Sequence, residues 1–213
     1  MEKKESFYVR FIKGFLDRVL GWMALIGLSW LLGIIALVIR IDDPGPAIFR
    51  QKRVGIKKNG KLTYFNIYKF RTMRSDAPHD VPTHLMTDPD QWLTRVGKFL
   101  RRSSLDELPQ LWNIAVTHDI SIVGPRPALW NQDDLVAERE KYGANDVRPG
   151  LTGWAQINGR DELEIEEKAR LDGEYARNIS FAMDLKCFFR TIGSVIRADG
   201  YVDGGPEAKK KDK

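Results

Sequence analysis

A single cysteine, Cys187, among 213 residues excludes an internal disulfide. Its neighbours Phe188 and Phe189 point to a buried, inert thiol, compatible with a reducing compartment. Histidine is almost as scarce: His79, His84 and His118 are all there are, and they lack the spacing of a metal-ligand set. No glycine-rich phosphate loop, Ser-His-Asp arrangement or internal repeat is present, which argues against P-loop enzymes, serine hydrolases and solenoids. Charge is missing from Val19 to Ile39. At about 1.5 Å rise per residue, a helix over that run is long enough to cross a hydrocarbon core of about 30 Å. The run exceeds the apolar region of a signal peptide and no Ala-x-Ala site follows it, so it is expected to persist in the mature protein.

What remains is rich in charge. Lys and Arg number 34 against 29 Asp and Glu, a formal net charge of +5, which favours anionic partners: nucleic acid, acidic lipid headgroups or phosphorylated small molecules. The length suits one ordinary domain, or a short anchor and a domain of about 150 to 170 residues.

Basic residues flank the apolar run on both sides: Lys3, Lys4, Arg10, Lys13 and Arg18 before it, and Arg40, Arg50, Lys52, Arg53, Lys57 and Lys58 after it. A helix that enters and returns to the same face lets both clusters meet an anionic leaflet, whereas a spanning helix puts one on the wrong side. A re-entrant hairpin is therefore preferred over a single span. Gly27, Ser29 and Gly33 are the candidates for its break, since no proline precedes Pro44.

Beyond the anchor, Asp43-Pro44-Gly45-Pro46 stops any helix, and Ala47 to Val54 alternates as a strand. Lys57-Lys58-Asn59-Gly60 predicts a hairpin turn with Leu62 to Phe70 returning. Ser75 to Asp90 reads as a loop and Trp92 to Arg102 as a helix. Ser104-Leu105-Asp106-Glu107 has the pattern of a capping box opening a helix to about Val116. Gly124-Pro125-Arg126-Pro127 and Arg148-Pro149-Gly150-Leu151-Thr152-Gly153 are rigid loops able to hold an anion. Asp161 to Tyr175 reads as a charged helix. Phe181 to Ile196 reads as another, with Phe181, Leu185, Phe188, Phe189, Ile192 and Ile196 on a face expected to meet the core rather than lipid. A polar tail from Asp199 is expected to be disordered.

Adjacent Asp106 and Glu107 can bind Mg²⁺ and engage a phosphate, although two acids in a first helical turn are also what the helix dipole favours. Lys69, Arg71, Arg101, Arg126 and Arg148 lie in or beside the segments flanking them, and guanidinium groups suit a diphosphate. Asp88-Pro89-Asp90 matches the metal-holding Asp-x-Asp of nucleotide-sugar glycosyltransferases, but without the long α/β domain those enzymes need.

Pro44-Gly45-Pro46, Phe49-Arg50-Gln51-Lys52-Arg53-Val54-Gly55, Tyr68-Lys69-Phe70-Arg71-Thr72-Met73, Ser104-Leu105-Asp106-Glu107-Leu108-Pro109-Gln110-Leu111, Val123-Gly124-Pro125-Arg126-Pro127 and Arg148-Pro149-Gly150-Leu151-Thr152-Gly153-Trp154-Ala155-Gln156 follow one another in order from Pro44 to Gln156. Together they resemble the small monotopic polyprenol-phosphate phosphoglycosyl transferases, the bacterial sugar transferase family. The resemblance implies an α/β chain, mostly helical with a small β-hairpin. It would have a re-entrant helix-break-helix anchor over residues 1–42, a compact cytoplasmic catalytic domain with amphipathic interfacial helices over 43–198, and a tail over 199–213.

The implied reaction moves a sugar phosphate from a UDP-sugar to polyprenyl (undecaprenyl) phosphate and releases UMP, as the initiating step of surface glycan assembly on the cytoplasmic face of the bacterial inner membrane. In it Asp106 is the nucleophile, Glu107 the Mg²⁺ ligand, and Lys69, Arg71, Arg101, Arg126 and Arg148 hold phosphate oxygens. Anionic inner-leaflet lipids are expected partners and nucleic acid is not. One departure concerns the anchor: the family usually carries Ser-Pro at its bend, and here Ser29 precedes Trp30. The competing readings are a non-catalytic basic membrane-surface module and a glycosyltransferase that moves the sugar without its phosphate.

Overall fold

In a computed structural model the described residues are 6–77, 89–159 and 163–197. His79, His84, Asp88 and the tail lie outside them. A π-helical turn, Tyr8–Lys13, leads into helix α1 (Gly14–Gly27), and helix α2 (Ser29–Asp42) follows after Leu28. No single described helix is long and apolar enough to cross a membrane; the two segments Tyr8–Gly27 and Ser29–Asp42 meet at a 60° bend. The break sits at Leu28 (φ −99°, ψ 4°). Ser29 Oγ donates to the Ile26 carbonyl at 2.8 Å, taking up one backbone acceptor that the bend would otherwise leave open. The chain thus bends without proline at Trp30.

Each arm of the bent pair docks on the rest of the chain. From α1, the buried Asp17 accepts hydrogen bonds from Ser121 Oγ at 2.6 Å and the Ile122 amide at 3.0 Å. Ala24, Leu25 and Leu28 pack on Leu111, Ile114 and Ile120. From α2, Ile35 and Ile39 pack with Ala47, Phe70 and Leu100. The outward faces stay apolar and open, with Phe7, Phe11, Phe15, Met23, Trp30 and Ile41 among the exposed side chains.

Strands β1 (Ile48–Lys58) and β2 (Lys61–Phe70) form the antiparallel hairpin, joined at Asn59-Gly60. Both turn residues take positive φ, 50° and 74°, as a two-residue turn matched to strand twist requires. A bulge lies between Val54 and Lys57. Pro89–Trp92 is a 3-10 turn, and helix α3 (Arg95–Arg102) begins later than the sequence pattern suggests because Thr94 caps it, accepting from the Gly97 amide at 2.9 Å.

The expected single helix after Ser104 is a succession of pitches: a 3-10 turn Leu105–Glu107, helix α4 (Gln110–Trp112) and a π turn Asn113–Thr117. Ser104 itself is left-handed, φ 57°, and its side chain caps nothing, so the capping box is not formed and the Glu107 carboxylate is spent elsewhere.

Strands β3 (Ser121–Val123) and β4 (Gly150–Thr152) pair in parallel, with helix α5 (Asp133–Lys141) between them. The crossing is so tight that a Cβ on Gly150 would fall 2.0 Å from the Gly124 nitrogen. Helices α6 (Trp154–Ile157), α7 (Ile165–Arg177) and α8 (Phe181–Arg197) complete the chain. Helix α8 is tied to the N-terminal segment through Asp184. One of its oxygens accepts from Lys13 Nζ at 2.6 Å and the Tyr8 hydroxyl at 2.7 Å, and the other lies 2.7 Å from the Tyr175 hydroxyl.

Cys187 is buried, as its setting suggested, but the α8 stripe corrects the expectation of a core face, Ile196 lying outside the described side chains. Phe181, Leu185, Phe188, Phe189 and Ile192 are exposed, because the helix buries its Asp184–Cys187 side and turns its aromatics outward, beside the N-terminal segment where Tyr8 meets Phe181 edge-on.

Candidate active site

Asp106 and Glu107 ride on the 3-10 turn, and the leucines on either side, Leu105 and Leu108, pack into the cluster formed by α2, the hairpin base and Leu100 of α3. The carboxylates are thus fixed to the bent helix pair by their immediate neighbours. Around them the hairpin contributes its inner face, on which Phe49, Gln51 and Arg53 of β1 oppose Lys69, Ile67 and Phe65 of β2.

Lys69 Nζ donates to Glu107 Oε1 at 2.9 Å. Arg126, on the loop after β3, reaches the same carboxylate with Nη2 to Oε1 at 2.5 Å and Nη1 to Oε2 at 3.4 Å. Arg101, at the end of α3, is oriented by a 2.9 Å bond from Nε to Thr72 Oγ1.

Electrostatics divide the two acids. Burial pushes Asp106 up to about 6; Lys69, Arg101 and Arg126 pull it down and the Glu107 charge pushes it up. Burial would raise Glu107 too, but Arg126 and Lys69 outweigh it and hold this carboxyl far below the usual range. Glu107 is a permanent anion neutralised by cations, while Asp106 is ionised at neutral pH and partly desolvated, the condition of a usable nucleophile.

Lys69, Arg101 and Arg126 therefore meet at the carboxylates. Arg71 and Arg148 are held elsewhere. Arg71 is buried against the exit of α2, paired with Asp43 at 3.0 Å and donating to Ser75 Oγ at 2.9 Å and to the Asp43 and Pro44 carbonyls. Arg148 sends Nη1 to His118 Nε2 at 2.5 Å, near the start of α1. Burial and the neighbouring Arg148 and Arg18 keep His118 below its ordinary pKa, so it is neutral and accepts that bond.

One residue of the site was not singled out from the sequence. Arg53 lies within electrostatic reach of Glu107 and Arg126, and its buried guanidinium donates to the Pro127 carbonyl at 2.9 Å and to Gln51 Oε1 at 2.6 Å. The signal was alternation: Arg53 shares the inward register of Phe49 and Gln51.

Asp106 and Glu107 are the side chains here that could hold a divalent ion. Among the described residues no three His, Cys, Asp or Glu side chains converge, but Mg²⁺ characteristically takes one or two carboxylates and completes its shell with water and substrate phosphate. Glu107 Oε2, engaged by Arg126 only at 3.4 Å, suits that role, with Asp106 adjacent.

The bacterial sugar transferase family model matches residues 8–198. The chain belongs to the bacterial sugar transferase family. It is 41% identical over 163 residues to the Bacillus subtilis uncharacterized sugar transferase EpsL, covering 76% of each chain. It is similarly 41% identical over 196 residues to the UDP-glucose:undecaprenyl-phosphate glucose-1-phosphate transferase of Escherichia coli, covering 86% of this chain and 40% of that one. Against the undecaprenyl-phosphate galactose phosphotransferase of Salmonella typhimurium it is 35% identical over 206 residues, covering 90% of this chain and 42% of that one. The chain thus spans about three quarters of EpsL and about two fifths of these two longer relatives.

Proposed function

We propose that this protein transfers a sugar 1-phosphate from a UDP-sugar to polyprenyl phosphate, releasing UMP, with Asp106 as nucleophile. The observation that carries the reading is the charge arrangement. Four cationic groups, Lys69, Arg53, Arg101 and Arg126, surround two carboxylates of which one is already neutralised. Such a site has excess positive charge until an anion enters, and a diphosphate supplies it. The names of the Escherichia coli and Salmonella relatives point the same way.

An Asp106 oxygen attacks the β-phosphorus of the UDP-sugar. The bond from that phosphorus to the bridging oxygen breaks, and UMP leaves with the electron pair. A phosphate oxygen of the polyprenyl acceptor then attacks the same phosphorus, expels the Asp106 carboxylate, and carries away the phosphosugar. No general base is needed for the first step, because Asp106 is ionised at neutral pH. Lys69, Arg101 and Arg126 stabilise charge on the diphosphate oxygens. Bound at Glu107, Mg²⁺ would screen the diphosphate and stabilise the departing UMP.

The bent helix pair and the outward aromatics of the N-terminal segment and α8 support a re-entrant anchor in the inner leaflet, with the catalytic residues on the cytoplasmic side. There the acceptor phosphate lies at headgroup level while its chain remains in lipid, and anionic lipids meet the flanking basic residues.

The test is the nucleotide product formed by detergent-purified protein from a panel of UDP-sugars with Mg²⁺ and undecaprenyl phosphate. UMP is expected with one or two of them. UDP instead would mean glycosyl transfer, and no nucleotide from folded protein would mean a non-catalytic membrane module.

A further inference from the structure

The loop carrying Arg126 is held along its length by one donor for each carbonyl. Pro125 O accepts from the Gly150 amide, Arg126 O from Arg139 Nη2, Pro127 O from Arg53 Nη1 and Ala128 O from the Val54 amide, each at 2.9 Å. Two of the four donors are side chains, and they differ. Arg139 is neutralised by a buried pair with Asp172, at 2.5 and 2.8 Å from one carboxylate oxygen. Arg53 has Gln51 and a carbonyl as its hydrogen-bond acceptors, and its Nε is buried without a partner.

A carbonyl needs only a neutral donor. Burying a full charge to serve it is costly unless the charge has work of its own. Burial and the like charge of Arg126 press the Arg53 pKa down to about 9, while Glu107 opposes them; the group stays protonated at neutral pH, within electrostatic reach of both partners of the Arg126–Glu107 contact.

We infer that Arg53 is a positioning residue for phosphosugar transfer, acting through Arg126: it fixes the carbonyl that follows Arg126 and, by like-charge repulsion, drives that guanidinium onto Glu107 and the incoming diphosphate. The inference rests on the transfer reading above. Arg53 itself does not touch the reacting atoms.

The experiment is a double-mutant cycle on UMP release, using Arg53→Gln, which keeps a donor for Pro127 but drops the charge, with Arg126→Met and the double variant. Arg53→Gln should lower kcat at least tenfold while changing KM for the UDP-sugar less than threefold, and Arg53→Lys should restore most of the loss. On the Arg126→Met background Arg53→Gln should cost nothing further. Full kcat in Arg53→Gln, or losses that multiply in the double variant, overturns the inference and leaves the transfer reading intact. No UMP from the unmodified protein overturns both. If Arg53→Gln does not fold, Arg53→Met enters the same cycle with the same expectation, a kcat loss alone and none further on the Arg126→Met background, and losses that multiply overturn the inference.

Discussion

Arg126 and Glu107, separated by 19 positions in the chain, meet through two guanidinium nitrogens on two carboxylate oxygens, at 2.5 and 3.4 Å. Lys69 shares the nearer oxygen. The contact distinguishes two arginines that look alike in the sequence. Arg126→Met is expected to lower kcat/KM for UMP release by about 10²-fold, the scale of losing one preorganised charge-stabilising donor. Arg148→Met, whose side chain engages His118, is expected to cost less than tenfold and to act mainly through a lower thermal midpoint. Steady-state kinetics of the two variants side by side, with melting curves, checks the ranking.

The acidic limb of the rate profile should belong to Asp106. Its carboxyl titrates near 6, raised mainly by burial, and only the carboxylate attacks phosphorus. UMP release should therefore fall about tenfold for each pH unit below 6 and level off above 7. Initial rates between pH 5 and 8 measure it, and a flat profile down to pH 5 would remove Asp106 from the nucleophile's role.

Stability follows with the opposite sign to the usual paired carboxylate. Folded Asp106 keeps its proton to about 6 against an ordinary 3.8, so the native state binds more protons than the unfolded chain between those values and stability falls as pH rises through that window. Above it the ionised, buried carboxylate is a standing cost. Asp106→Asn is expected to raise the thermal midpoint by a few degrees at pH 8 and to leave it nearly unchanged at pH 4, a comparison that thermal melts of both proteins make directly.

The parallel β3–β4 crossing should tolerate no side chain. A Cβ at Gly150 would stand 2.0 Å from Gly124 N and 2.6 Å from Gly124 Cα, and the clash is with backbone. Gly150→Ala is expected to destabilise by roughly 3 kcal/mol or more, and to lose transfer because the same crossing anchors the Arg126 loop. Denaturant unfolding of the detergent-solubilised protein reads the first effect.

The sequence was most legible where chemistry is local. Asn59-Gly60 dictated a turn, and alternation dictated the strands beside it, because positive φ and a period of two are properties of a few consecutive residues. The Asp106-Glu107 pair stood out for the same reason, and the charge that closes the apolar run, Arg40, falls in the last turn of α2, whereas Arg18 before the run lies inside α1. Partners across the fold were not legible. Arg71 and Arg148 carry the same guanidinium as Arg126, and only packing shows that they meet Asp43 and His118.

The capping pattern at Ser104 failed because the two hairpin- and loop-borne cations claim Glu107 more strongly than a backbone amide would. The periodicity of α8 identified a face correctly but not what lies opposite it, and the exposed Phe188 and Phe189 decide that question. The three-residue strands β3 and β4 are too short to leave a pattern at all.

The central claim is that a sugar phosphate rests on Asp106 between the two half-reactions. Mixing the protein with its UDP-sugar and Mg²⁺ in the absence of polyprenyl phosphate, then measuring intact-protein mass and nucleotide, tests it most directly. A mass increase equal to one sugar phosphate, one equivalent of UMP, and the loss of both in Asp106→Asn are predicted; an unmodified mass alongside continuing UMP formation, or an adduct that survives in Asp106→Asn, would contradict the account.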